Sequence, residues 1–198
     1  CIRDRLERAR CSDDEAIRRE FGIARDSDGF ESEANIFRYL PTAVTVRVTA
    51  EAKPVEITRV AEAAQRLGAP LTWSVAADAE GAVRAAAVAA ADAGASANGT
   101  GGGVALESAG EFGKRLSDGQ LLVNGAARVR NIGAAEPEVL EAIVDRPEVA
   151  VLDEPVTASG RIEGRYYLHE QAISMTLHRF GDPDPGFHRL AERLGRTA

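Results

Sequence analysis

The sequence predicts an α/β domain: a parallel sheet with flanking helices, carrying a hairpin-like strand element near its C-terminal end. Three observations carry this. Between Val44 and Leu152, β-branched runs alternate with helical stripes over short connections, the pattern of right-handed crossovers. Proline and glycine punctuate the alternation, with Pro54 and Pro137 where helices begin and Gly68 where one ends. Beyond Arg161 the period becomes two: Ile173, Met175 and Leu177 fall on one side, Ala172, Ser174, Thr176 and His178 on the other.

Taken in order, Ile2 to Arg10 reads as a short helix with Ile2, Leu6 and Ala9 on one side. Ser12 and Glu15 have capping-box spacing, which predicts a second helix with Ile17 and Phe21 inward and Gly22 at its end. Ala24 to Ala34 is rich in Asp, Ser, Gly and Glu and reads as a loop or linker. This divides the chain into a helical lead-in from a preceding domain (1–34), the α/β domain (35–181) and a polar tail (182–198) with a helix around His188 to Leu194.

Within the α/β domain, Val44 to Val48 is the first strand. The helix from Pro54 presents Ile57, Val60, Ala61, Ala64 and Leu67 as one stripe. Leu71 to Val75 is the second strand. Ala79 to Ala97 is an alanine-rich helix whose stripe is too weak to choose a buried face, and Gly99 to Gly103 is a flexible break. Val104 to Glu107 is a strand, and the Ser108–Glu111 capping box opens a helix with Phe112 and Leu116 inward. Gln120 to Ala126 fits helix or strand equally. Arg128 to Ile132 is a strand. The helix from Pro137 points Val139, Leu140, Ile143 and Val144 inward, and Val149 to Leu152 is the last of about five core strands. Arg161 to Glu163 reads as a short strand broken at Gly164, ahead of a longer strand over 171–180.

Charge and cysteine usage exclude several classes of partner. Twenty-four Lys and Arg against 31 Asp and Glu leave a net charge of −7, which argues against a nucleic-acid backbone. The two cysteines, Cys1 and Cys11, match no zinc spacing and frame no disulfide scaffold, which points to a reducing, cytoplasmic setting. No apolar run approaches the ~18 residues of a membrane span, and no signal peptide is evident. The Asn98-Gly99-Thr100 sequon is then a chance match. An opening Cys in place of Met points to a fragment of a longer protein or a processed start.

A dinucleotide needs glycines between the first strand and helix, so that its pyrophosphate can reach the helix N-terminus. Here Thr49 to Glu56 has no glycine and two glutamates, and the glycine-rich run precedes a strand, so no cofactor is expected on this chain. Cys11 has Arg10 beside it, but no base accompanies it, and it reads as an ordinary thiol. His169, His178 and His188 are nine and ten residues apart and do not share a helical turn, so no metal site is expected.

The stretch Leu168 to Gly181, LHEQAISMTLHRFG, resembles the terminal motif of the long forms of proline utilization A, approximately L-R-E-Q-A-x-S-x-T-x-H-R-[FY]-G. Leu168, Glu170, Gln171, Ala172, Ser174, Thr176, His178, Arg179, Phe180 and Gly181 match, and His169 departs from the usual arginine. Upstream, Asn35 to Pro41 (NIFRYLP) resembles the N-x-[FL]-R-Y-x-P segment leading into the same domain. Members of that family are bifunctional flavin- and NAD-dependent enzymes that oxidise proline to glutamate. The resemblance implies a Rossmann-like, aldehyde-dehydrogenase-like domain without the family's catalytic cysteine motif. It implies a non-catalytic accessory role, packing over the glutamate-semialdehyde dehydrogenase site and helping to close the substrate-channelling cavity. FAD and NAD would belong to the parent enzyme. The implied partner is the catalytic aldehyde dehydrogenase domain of the same polypeptide or of a second protomer. Strand 171–180 could join that domain's sheet edge by backbone hydrogen bonds, with Arg161, Glu170, Gln171, Ser174, His178 and Arg179 as docking contacts. A solvated strand face is the plainer reading of the same residues. Two other functions remain open: a self-association module using strand 171–180, or a stand-alone NAD-binding oxidoreductase domain.

Overall fold

A computed structural model describes residues 2–98 and 103–194. Helix α1 (Ile2–Ala16) runs into a π-helical turn (Ile17–Phe21), followed by β1 (Arg25–Asp26) and β2 (Glu33–Pro41). Then come β3 (Val44–Val48), α2 (Pro54–Leu67), β4 (Leu71–Ala76), α3 (Gly81–Asn98), β5 (Val104–Glu107) and α4 (Ala109–Ser117). They are followed by β6 (Ala127–Ile132), α5 (Pro137–Ala142), β7 (Val149–Leu152) and α6 (Gly160–Gly164) with a 3₁₀ turn (Arg165–Tyr167). The chain closes with β8 (Leu168–Thr176), the short β9 (His178–Arg179) and β10 (Asp182–Pro183), and α7 (Pro185–Arg193).

The parallel sheet has the order β5-β4-β3-β6-β7, the Rossmann-like α/β arrangement expected. On one face Val44, Val46 and Val48 meet Ile57, Val60 and Ala64 of α2 and Val83, Ala87 and Ala91 of α3. That last trio resolves the face the alanine-rich helix left open: a β-branched residue and two alanines at i, i+4, i+8 let α3 approach closely. Phe112, Leu116, Val129, Val139 and Val149 form the core of the other face. Gly68 ends α2 in the left-handed conformation at φ 72°. No described helix is long and apolar enough to cross a membrane.

Several local expectations are corrected. Residues 2–16 form one helix, without a break at Ser12. Ser12 does not cap. Its hydroxyl accepts the Gly160 N–H at 2.9 Å, and buried Asp13 takes both ends of the Arg59 guanidinium at 2.7 and 2.9 Å. Tertiary partners outbid the local cap. Strand β2 opens at Glu33, inside the stretch read as linker. Arg161 to Glu163 is helix, not strand: the Ser159 hydroxyl caps it by accepting the Ile162 N–H, and Glu163 turns fully inward. Leu140 and Val144 point outward at 42% and 77% exposure: α5 turns Val139 and not Leu140 to the core, and Val144 lies beyond its end at Ala142. Gln120 to Ala126 is neither helix nor strand but a turn, with Asn124 and Gly125 both at positive φ. The long strand is Leu168–Thr176 rather than 171–180, and His178 to Pro183 makes its own hairpin. The polar tail carries α7, whose Ala191 is buried against Ala34, Ile36 and Leu177. Gly99 to Gly102 and Cys1 lie outside the described residues.

Candidate functional site: an open strand edge on a charged mount

β2 and β8 pair antiparallel over nine residues each, from Glu33 opposite Thr176 to Pro41 opposite Leu168. Because side chains alternate, the ribbon has two distinct faces. Ala34, Ile36, Ile173 and Met175 face α7. On the opposite face, Phe37 and Tyr39 stand edge-on at 5.2 Å, and Tyr39 meets Phe21 of the π turn edge-on at 5.1 Å. A cleft of about 440 Å³ lies between these rings and α1. The Tyr39 hydroxyl donates to Glu20 Oε1 at 3.2 Å, and Arg161 Nε donates to Glu20 Oε2 at 2.5 Å. Arg161 above all, then Tyr39, holds the Glu20 carboxyl below its ordinary range. Burial, with Glu20 second, raises the Tyr39 phenol.

The sheet order β1-β2-β8 makes β8 a terminal strand. One edge bonds to β2; the other has no strand partner among the described residues. Its sequence, LHEQAISMT, has neither proline nor lysine, the usual devices that blunt an edge.

Five of the six expected docking residues sit on β8 and the hairpin that follows it, three on the strand and two on β9. Glu170 is exposed opposite Tyr39, and Ser174 is exposed opposite Asn35. Gln171 is half-buried, its Oε1 accepting from Arg38 Nε at 2.7 Å. His178 Nδ1 accepts the Gly181 N–H at 3.3 Å, which fixes the hairpin turn, and the Arg179 guanidinium lies 5.5 Å from the Phe180 ring centroid. Arg161 stands apart. It sits on α6, where its partner is Glu20 of the π turn.

Beneath the ribbon lies a set of buried charges that the sequence reading passed over. Glu163 is fully buried and accepts Arg130 Nε at 3.0 Å, a second Arg130 nitrogen at 3.2 Å, the Tyr167 hydroxyl at 2.9 Å and the Thr157 N–H at 3.0 Å. Arg130 also donates to the carbonyls of Leu152 at 3.1 Å and Glu154 at 2.7 Å, and its guanidinium lies 4.4 Å from the Tyr166 ring centroid. Complete burial, with the Glu163 charge next, pushes the Tyr167 phenol well up. Arg128, two residues back on β6, donates to the Leu168 carbonyl at 2.5 Å, and desolvation lowers its pKa. The root of β8 is therefore bolted to the middle of the parallel sheet. On the other side of that sheet, Arg47 of β3 is fully buried and bidentate to Glu136 at 2.7 Å, and also donates to Ser74 at 2.9 Å. The signal for both arginines was an isolated cation inside an apolar strand, which demands a buried anion.

The other place to look in such a fold is the topological switch point between β3 and β6, at the carboxyl ends of the strands. The crevice there is about 240 Å³ and is lined by Glu51, Glu56, Asp153 and Glu154 against a single Lys53. The Lys53 N–H at the start of α2 donates to Glu56 at 3.0 Å, occupying an amide that a phosphate would need. Gly133, at φ 99°, presses so close that a Cβ there would lie 2.1 Å from Thr49 Oγ1. Four carboxylates and a self-capped helix repel a pyrophosphate. Cys11 is exposed. No group of three or more His, Cys, Asp or Glu side chains is placed to hold a metal ion among the described residues.

No family model and no curated protein matches the chain. Among solved structures it is similar to proline utilization A from Corynebacterium freiburgense, with 29% identity and a TM-score of 0.58 over 89% of this chain. The chain spans 14% of the length of that protein.

Proposed function

We propose that this chain is the non-catalytic accessory domain of a longer proline-oxidising enzyme, and that it acts by lending the outer edge of β8 to a neighbouring catalytic domain. The likeness to a proline utilization A protein over 89% of the chain supports the setting. The single observation that carries the role is the edge of β8 that no strand covers beyond Leu168, whose own carbonyl Arg128 holds, free of the proline and lysine that would blunt it. Backbone groups on such an edge seek a strand, and a docked sheet satisfies them. The partner is the aldehyde dehydrogenase domain that oxidises glutamate semialdehyde, in the same polypeptide or in a second protomer. Docking there covers that active site and helps to close the cavity through which the intermediate travels. FAD and NAD reside in the parent enzyme, and the acidic switch-point crevice supports a chain without a cofactor of its own. Cys11, an exposed free thiol, suits the reducing cytoplasm.

The test uses the full-length polypeptide carrying Ser174→Lys and Thr176→Lys, two exposed positions whose lysines blunt the edge without touching the core. Proline oxidation should stay at the parent rate, while conversion through to glutamate falls about tenfold, in line with ~1.4 kcal/mol of lost docking, and semialdehyde escapes. Unchanged coupled turnover with no escape would refute the docking role. Titrating the isolated chain with NAD should give no binding heat; saturable binding would favour an oxidoreductase domain instead.

A further inference from the structure

The far end of the β2–β8 ribbon concentrates exposed aromatic rings. The Leu177 N–H bonds to the Ser32 carbonyl and the Asp184 N–H to the Leu177 carbonyl, both at 2.8 Å, so three chain segments meet there. Each carries a phenylalanine two or three residues away. Phe30, Phe180 and Phe187 are 54%, 94% and 38% exposed, three of the six phenylalanines in the chain. The others, Phe21, Phe37 and Phe112, are buried or half-buried.

Phe180 is the odd one. It occupies the first position of the two-residue loop Phe180-Gly181 joining β9 to β10, at φ 53°, with Gly181 at φ 94°. Such a loop ordinarily takes Asn-Gly, and a bulky ring at positive φ is strained. The strain is held by a local clasp, with the Gly181 N–H donating to His178 Nδ1 at 3.3 Å and the Arg179 guanidinium against the ring. Apart from that guanidinium, the ring is almost wholly in solvent and fills no part of the core.

We infer that Phe180 is the anchor residue of the β8 docking surface, entering an apolar socket with an acidic rim beside the sheet edge that β8 joins. This rests on the docking reading above and specifies its hot spot. A rigid aromatic with a neighbouring arginine is the side-chain chemistry that dominates protein interfaces. Arg179 is exposed and pairs with no carboxylate among the described residues, which leaves it for an anion on the socket's rim. A lipid surface could take the rings, but it offers the adjacent β8 backbone nothing to bond with. The occupant is therefore a protein surface, the catalytic domain of the longer polypeptide.

The experiment compares the full-length polypeptide with its Phe180→Gly and Phe180→Ser variants by hydrogen–deuterium exchange across Leu168–Thr176. Truncating an anchor should weaken docking about thirtyfold, and the outward amides of β8 should exchange correspondingly faster. The isolated chain should unfold no more easily with Phe180→Gly than without it, since glycine relieves the strained loop. β8 amides protected equally in parent and variants would overturn the anchor while leaving the docking reading intact. β8 amides unprotected in the parent would remove the docking reading itself. Two further outcomes would also overturn the anchor: binding of the isolated chain to phosphatidylcholine–phosphatidylglycerol vesicles, lost in Phe180→Ser, or a dimer of the isolated chain that the same variant dissolves.

Discussion

Changing Glu163 to Gln leaves the shape of the buried site but strands the Arg130 charge. Both side chains are wholly inaccessible to solvent, and Glu163 answers four donors from β6, the Tyr167 hydroxyl and the Thr157 backbone. Breaking a buried pair from one side costs about 3–5 kcal/mol, because the remaining ion keeps its desolvation penalty without its partner. For a domain of this size that amounts to a fall of about 6–20 °C in Tm. Trp73, the single tryptophan and 3% exposed, reports the transition by fluorescence in urea or on heating. Arg130→Met should be no milder, since Arg130 also serves the Leu152 and Glu154 carbonyls, which methionine leaves unbonded. The pair Glu163→Leu with Arg130→Met should recover part of the sum, because two apolar replacements remove the unpaired charge. A Glu163→Gln protein within about 0.5 kcal/mol of the parent would refute the mount, since that is the scatter of neutral surface changes.

Two further outcomes follow from the seam between α1 and the rest. Gly160→Ala would set a Cβ 2.4 Å from the Ser12 carbonyl oxygen and 2.5 Å from the Asp13 backbone, atoms that cannot swing away. It should lower the urea midpoint by the equivalent of ~2 kcal/mol or more and free α1 to proteolysis; a parent-like midpoint would contradict the contact. Glu20 has its folded pKa depressed, chiefly by Arg161, so it contributes stability above the unfolded carboxylate pKa and loses it as pH falls through the lower folded value. Glu20→Gln should therefore flatten the acid limb of the stability profile relative to the parent, and superimposable limbs would argue that the Arg161 pair is absent in solution.

The alternation of strands and helices was legible because the central strands are short β-branched runs buried on both faces while the helices between them carry apolar stripes at helical spacing. Val44–Val48, the Ile57–Leu67 stripe and the Ser108 capping box each declare themselves locally. What the local pattern could not carry was pairing at long range. Ser12 looked like a cap, yet it sits mid-helix because Gly160, 148 residues on, supplies the amide it accepts. Arg161 to Glu163 looked extended, yet a serine cap and the buried Arg130 wind it into a helix. The period-two run at β8 was read correctly as one covered and one open face, but not the cover itself, since the helix expected around His188 to Leu194 was assigned to a polar tail and not to the core. Five docking candidates lie together for the same reason, as neighbours on one strand and its following hairpin. Arg161 joined them only by sequence proximity, and the fold gives it to Glu20.

The decisive number is the exchange protection of the outward β8 amides in the isolated chain against that in the longer polypeptide proposed above. Rapid exchange alone and strong protection in the parent is the result this account requires. The same rapid exchange in both would mean that β8 meets no strand, and would remove the proposed docking role.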